Sequence, residues 1–340
     1  MEPSYKHWGA ISDALLDTGS RRSDIDRNQI IDSAVFDRFL VRVFHADRDE
    51  RWLLKGGTSM LARVPNARVT HDIDLAALRG DIHEAVDALR AAVEIDLDDH
   101  LRFRFHSSRG LANLGADRGQ KVSFLMFRDD RNAPLRKVSV DVVTEHAPIG
   151  RIETFDPANR INLKRPLVTV PFRYYPSVDH TADKTSATMA EYRSGRSTRA
   201  KDLVDLVIFA DTEEFSLREL ARAIDYKFAL NDIQATALSF PEEWEDKYEE
   251  MAEETPACRV EAFSDAVELA HEFLGPALEA DWEQTTSSVW VPGQRAWVPE
   301  SAVRSKSVGG GRSAEVDTAT ALWLGQYSPG FSGIDGPDLT

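Results

Sequence analysis

Apolar and polar positions change rhythm along the chain. In SDIDRNQIIDSAVFDRFLVRVF (residues 23–44) the apolar side chains recur at helical spacing, and Ser23 or Asp24 is the expected cap. RWLLKGG reads as a short strand running into a glycine turn, TSMLARV as a brief helix and HDIDLAAL as a strand. An amphipathic helix, IHEAVDALRAAVEI, follows, and then LRFRFHS, KVSFLMFRD and KVSVDVVTE alternate as strands do. After VPFRYYP the period becomes helical, in DHTADKTSATMAEYR, RAKDLVDLVIFAD, SLRELARAIDYKFAL, PEEWEDKYEEMAEE and RVEAFSDAVELAHEFLGPALEA. The expected fold class is α+β (mixed α/β). An α/β domain with a mixed sheet spans 1–176, a helical domain spans 177–285, and a Gly/Ser-rich tail, 286–340, is expected to be loosely ordered. Trp-Val-Pro occurs twice in VWVPGQRAWVPESA, one local echo rather than a repeat architecture.

Chemistry concentrates where the first strands meet the glycine turn. Side chains in a strand alternate between faces, so Asp72 and Asp74 project from one side while Ile73 and Leu75 face a core. Two close carboxylates raise each other's pKa unless positive charge lies between them, and a hard divalent cation supplies it. Upstream, Gly56 and Gly57 allow backbone angles and close approaches that other residues forbid. The helix start that follows offers N–H groups to an anion, with hydroxyls from Thr58 and Ser59. Either feature alone is common in proteins of many kinds. Together they make a phosphate-binding turn facing a metal-binding pair, the equipment of nucleotidyl transfer. A third strand carboxylate, Asp141, has the opposite parity to Val138, Val140 and Val142 and falls on the polar face; Glu145 is a weaker substitute. His71 points away from the acidic pair, no His/Cys spacing suggests zinc, and there is no Walker-type phosphate loop.

Composition narrows the class. The chain has 340 residues, 42% of them hydrophobic, without an 18-residue apolar run, so no membrane span is expected. MEPSYKHWGAISDALLD lacks the flank and core of a secretory signal, and the one cysteine, Cys258, has no partner for a disulfide, so a cytoplasmic location is expected. A net charge of −16 argues against nucleic acid at first sight. Acidic and basic residues balance over 1–211, however, so all of that charge falls on 212–340. The front part can still present basic patches, as in RDDRNAPLRK (128–137) and RSGRSTRAK (193–201).

KGGTSM followed by HDID resembles the signature of the polymerase-β-like nucleotidyltransferase superfamily, and more narrowly the AbiEii/MenT-type toxins. In that group a lysine, here Lys55, precedes the glycine pair, and the acidic strand reads D-I-D-L. A second block, ADKTSATMAEYRSGRSTRAKDLVDL, resembles the group's later motif at Asp183, Lys184, Arg199, Lys201, Asp202, Asp205 and Leu206. The likeness covers roughly residues 25–210. It implies a polymerase-β-like core followed by helices, with Asp72, Asp74, Lys184 and Asp202 as catalytic residues. Lys55, Gly56, Gly57, Thr58, Ser59 and Lys184 would hold the NTP, and Asp72, Asp74 and Asp141 would hold Mg²⁺ or Mn²⁺. Asp205 reads equally as a site residue or as part of a solvated helix flank.

The resemblance further implies a toxin whose acceptor is the 3′ end of tRNA, blocking translation, and a cognate antitoxin protein as partner. Arg193, Arg196, Arg199 and Lys201 are candidates for contacting acceptor-stem phosphates, although loop solvation explains such a cluster equally well. Thr70, two residues before Asp72, would bring a phosphoryl charge beside the acidic pair if an antitoxin kinase modified it; a plain β-branched strand residue is the other reading. Alternatives for the whole chain are transfer onto a small molecule or a protein, or a non-catalytic partner-binding module.

Overall fold

The computed structural model describes residues 5–20, 26–68, 70–111, 115–128, 131–190, 199–234, 237–285 and 287–302. Its first helices are α1 (Trp8–Gly19) and α2 (Arg27–Ala46). Asp26 caps α2 by accepting from the Asn28 N–H at 2.7 Å, so the helix starts past Ser23 and Asp24, which lie outside the described residues. Then come β1 (Trp52–Lys55), α3 (Gly56–Arg63), β2 (Ile73–Ala77), α4 (Ile82–Val93), β3 (Leu101–Leu111), β4 (Gly115–Arg128) and β5 (Arg136–Thr144). Two short strands, β6 (Glu153–Phe155) and β7 (Phe172–Tyr174), precede the helices α5 (Ser177–Met189), α6 (Ala200–Thr212), α7 (Leu217–Leu230), α8 (Glu245–Glu253) and α9 (Phe263–Glu279). Between α6 and α7 lies β8 (Phe215–Ser216), and β9 (Ser288–Val291) and β10 (Ala296–Pro299) come last.

The first seven strands form one mixed sheet in the order β3-β4-β5-β2-β1-β7-β6. β2 runs antiparallel to β1 and parallel to β5, with Asp74 opposite Lys55 on one side and Asp141 on the other. One face of the sheet is apolar because the alternation places Ile73, Leu75, Val122, Phe124, Val138, Val140 and Val142 there, all buried. α2 and α4 cover that face; Phe39 of α2 meets the Phe103 ring edge-on at 5.2 Å between centroids. A second core gathers α5 to α9, and α3 joins the two, with Ala62 in the first core and Met60 in the second. Residues Met1–Pro299 form one compact unit.

The Trp-Val-Pro echo differs from its expected place in a loose tail. β9 and β10 pair antiparallel, and their register sets Trp290 opposite Trp297, which explains the seven-residue offset. β9 also pairs with β8, and Trp290 is fully buried, its Nε1 donating to the Ala210 carbonyl at 2.7 Å. Cys258 is buried beside Tyr248, 3.5 Å from its hydroxyl, and burial pushes its thiol pKa up. No helix among the described residues is long and apolar enough to cross a membrane.

A buried ion network anchors α2. Val35, Arg38, Phe39 and Arg42 share one helix stripe, so both arginines enter the core and meet Asp99, itself fully buried. Arg42 donates to both Asp99 oxygens at 2.8 and 2.6 Å, and Arg38 donates at 2.7 Å. Burial works against the Asp99 charge, but the two guanidinium groups overcome it and hold its pKa below the usual value. That contribution is present at neutral pH and is lost as pH falls through the lowered pKa. Replacing Arg42 by Met removes two of the three guanidinium hydrogen bonds to the buried carboxylate and leaves it with Arg38 alone, and a loss of about 3 kcal/mol is expected in urea unfolding at neutral pH.

Candidate active site

Lys55 ends β1 and the chain turns at once into α3, with Gly56 at φ +64°. A β-carbon on residue 56 would meet the Asp74 carboxylate, 2.5 Å from its Cγ, so only glycine fits. A β-carbon on residue 57 would lie 3.1 Å from Thr70 Cβ, a tight approach to the segment that leads into β2. The glycine pair and the acidic strand are therefore pressed together. Thr58 and Thr70 both donate to the Asp72 carbonyl, at 3.0 and 3.1 Å, and fix the entry to β2. No side chain caps α3, which leaves N–H groups of its first turn pointing from the turn that touches Asp74. Ser59 is buried, and among the described residues its Oγ has no hydrogen-bond partner.

The register brings Asp74 beside Asp141, and Asp72 lies just ahead of β2. Burial, then the charge of Asp141 and, less strongly, that of Asp72, push the Asp74 carboxyl up to about 6, against the opposing charges of Lys55 and Lys184. Lys121 of β4 sits between the other two acids, 2.9 Å from Asp72 Oδ2 and 3.1 Å from Asp141 Oδ1. Among the described residues no three metal-ligating side chains are gathered in the arrangement that would hold an ion. The donor chemistry nevertheless fits a hard divalent cation. Asp72, Asp74 and Asp141 offer only carboxylate oxygens, and a lysine ammonium already occupies the space between two of them.

Two further clusters neutralise the rest of the pocket. Lys55 reaches Glu145 at 2.7 Å and Asp183 at 3.1 Å, with its ammonium 4.0 Å from the Tyr175 ring centroid. Lys227 of α7 joins them, 2.7 Å from Asp183 and 3.6 Å from Glu145. Burial opposes ionisation of Asp183, but the two lysines overcome it and hold its pKa down to about 2. Lys184 turns toward α6, 2.5 Å from Asp205 and 3.2 Å from Asp202. Burial alone would lower its pKa; the two aspartates reverse that and raise it. Asp205, read from sequence as equally a solvated residue, is fully buried and also meets Arg68 at 3.4 Å.

The expected site residues thus divide. Lys55, Gly56, Asp72, Asp74 and Asp141 surround one spot, Thr58 and Thr70 brace it, and Lys184 acts on Asp74 while paired with α6. Arg199 sits at the start of α6, 3.3 Å from Asp202, and Lys201 is exposed. Arg193 and Arg196 lie outside the described residues. Lys121, Lys227, Arg68 and Tyr175 were missed. Two of them carry a sequence signal: Lys121 shares strand parity with Ser123 and Leu125 and opposes Asp141, and Lys227 falls on the apolar stripe of Leu220, Ala223 and Ile224.

With this geometry in place, comparison with known proteins assigns the chain. No curated protein matches it significantly. Among solved structures it is similar to MenT4, a nucleotidyltransferase toxin from Mycobacterium tuberculosis H37Rv, with 16% identity, a TM-score of 0.52, and 87% of this chain and 97% of that chain covered. JHP933 from Helicobacter pylori is a weaker match, with 14% identity, a TM-score of 0.41, and 74% and 95% covered. The profile described as "Nucleotidyl transferase AbiEii toxin, Type IV TA system" matches residues 38–283, most of the chain. The chain belongs to the AbiEii family of nucleotidyltransferase toxins, enzymes that use a nucleoside triphosphate and in general a divalent metal, and that are paired with an antitoxin.

Proposed function

We propose that this enzyme transfers a nucleoside monophosphate from an NTP to the 3′-terminal hydroxyl of tRNA, which blocks translation. The observation that carries the reading is the contact of Gly56 with Asp74, which puts the open N–H groups of α3 against the acidic set. N–H groups of the first turn of α3 hold the triphosphate tail. Lys55 and Lys184, both within electrostatic reach of Asp74, offset charge on the leaving pyrophosphate. Asp202 orients Lys184 through their ion pair. Asp141 accepts the proton of the attacking hydroxyl as its oxygen bonds to the α-phosphorus and the bond from that phosphorus to the pyrophosphate oxygen breaks. Mg²⁺ or Mn²⁺, held by Asp72, Asp74 and Asp141 when bound, neutralises the phosphates.

Thr70 is the proposed control point. Its Oγ1 donates to the Asp72 carbonyl and lies beside Gly57, so a phosphoryl group there places about −1.5 to −2 charges at the pocket mouth. An antitoxin with kinase activity would silence the enzyme in this way.

The direct test incubates the protein with each labelled NTP, Mg²⁺ and total tRNA, and follows label on a gel. Label should enter tRNA with one NTP preferred, and Asp72→Ala should abolish it; label in protein or in no acceptor sinks the reading. Gly56→Ala displaces the Asp74 carboxylate, so a fall in kcat of about 10²-fold is expected, with the fold retained by circular dichroism. Mass spectrometry of toxin co-produced with its antitoxin should find Thr70 phosphorylated in inactive protein; inactive, unmodified toxin would refute that mode of control.

A further inference from the structure

Beyond the acidic pocket the same face of the sheet stays open. α4 packs against β3, β4 and β5 on the opposite face, where Phe103, Phe124 and Val138 are buried. Cross-strand register carries the alternation outward from the site. Lys121 opposes Asp141 on one side and Arg109 on the other, and Leu125 opposes Lys137 and Arg104. Residues directly opposite one another share a face. Arg104, Arg109 and Lys137 therefore project from the face that bears Asp141 and, across β5, Asp74. All three are exposed, and among the described residues none is ion-paired with a carboxylate. Arg104 lies over the Phe127 ring at 5.2 Å and is itself exposed.

The chemistry of this surface selects its occupant. Three unneutralised cations lie along about 13 Å of strand, the rise of four residues, and lead to an acidic pocket that must receive a terminal hydroxyl. An open sheet face with arginine planes suits unpaired nucleotides, whose bases stack and whose phosphates meet the cations. A folded protein partner would instead require apolar anchors, and the exposed positions here are charged or hydroxylic, including Ser107. The charge of the chain as a whole is negative, so RNA is directed to the part that is balanced and locally basic.

We propose that the open face of β3, β4 and β5 cradles the unpaired 3′ end of an RNA acceptor, with Arg104, Arg109 and Lys137 on its phosphates and its last hydroxyl delivered to Asp74 and Asp141. This rests on the reading of the enzyme as an RNA nucleotidyltransferase. It moves acceptor recognition from the Arg193–Lys201 segment to a rigid sheet, and gives a role to the basic end of the 128–137 stretch.

The test combines Arg104→Gln, Arg109→Gln and Lys137→Gln in the full chain. Binding of total tRNA and of a labelled single-stranded oligoribonucleotide is measured by fluorescence anisotropy across a salt series. Each lost single-strand phosphate contact removes about 0.7 from the slope of log K against log salt, so the triple variant should be shallower by about 2. The KM for RNA should rise while the KM for NTP and the melting temperature hold. Arg27→Gln, Arg48→Gln and Lys247→Gln together make the same charge change elsewhere and should leave the slope alone. If the triple variant unfolds, each single replacement is read against an expected change of about 0.7. RNA binding with an unchanged slope overturns the cradle and leaves the RNA reading standing. Failure of the unaltered protein to bind RNA, with label passing to a protein or small molecule, overturns both.

Discussion

At residue 56 there is room for a hydrogen atom and nothing larger, because the carboxylate of Asp74 fills the space beyond it. That steric demand ties two segments that are separate in sequence. It requires a left-handed backbone angle at the end of β1, which starts α3 at once and aims its first turn at the acidic strand. It also requires β2 to run beside β1 in one register, with Asp74 opposite Lys55. A phosphate-binding helix start and an acidic pair are thus built by a single contact, and neither can move without the other.

Charge balance is the second constraint. The pocket and its walls hold many carboxylates, and most are met by cations that come from several elements. Lys121 comes from β4, Lys184 from α5, Arg199 from the start of α6 and Lys227 from α7. Asp74 is the exception: burial, then the charge of Asp141, raises its pKa against the opposing charges of Lys55 and Lys184. The helices of the second core therefore do more than enclose an apolar interior. They carry Lys184 and Lys227, which neutralise the acids Asp183, Asp202 and Asp205 beside the site, and the charge of Lys184 also acts on Asp74.

Alternation was the readable part of the sequence. It located the sheet strands that carry Asp74 and Asp141 and the side of each that turns from the core, since Ile73, Leu75 and the Val138–Val140–Val142 set are buried as a strand period requires. The glycine pair was recognisable as a turn, but the reason for it was not, because the contact with Asp74 depends on tertiary pairing. Lys184 was expected at the triphosphate from the resemblance alone; its pairing with Asp202 and Asp205 is a relation between two helices that spacing along one helix cannot reveal. Asp205 read equally as a site residue or a solvated one for the same reason. The hairpin of β9 and β10 hid in a tail of turn-rich composition, and only the partner strand β8 and the slot for Trp290 explain its order. Lysines and arginines on apolar stripes, Lys227 and Arg42 among them, were the overlooked clue that charges were going inside.

Cys258 lends the molecule an experimental convenience. It is the chain's one thiol, closed in against Tyr248 and held protonated by its apolar surroundings. A maleimide dye or spin label in solution meets no reactive sulfur on the native protein. A cysteine introduced on the exposed side of β3 would be the sole attachment point, so distances from the sheet to a labelled nucleic acid can be read on otherwise unaltered enzyme.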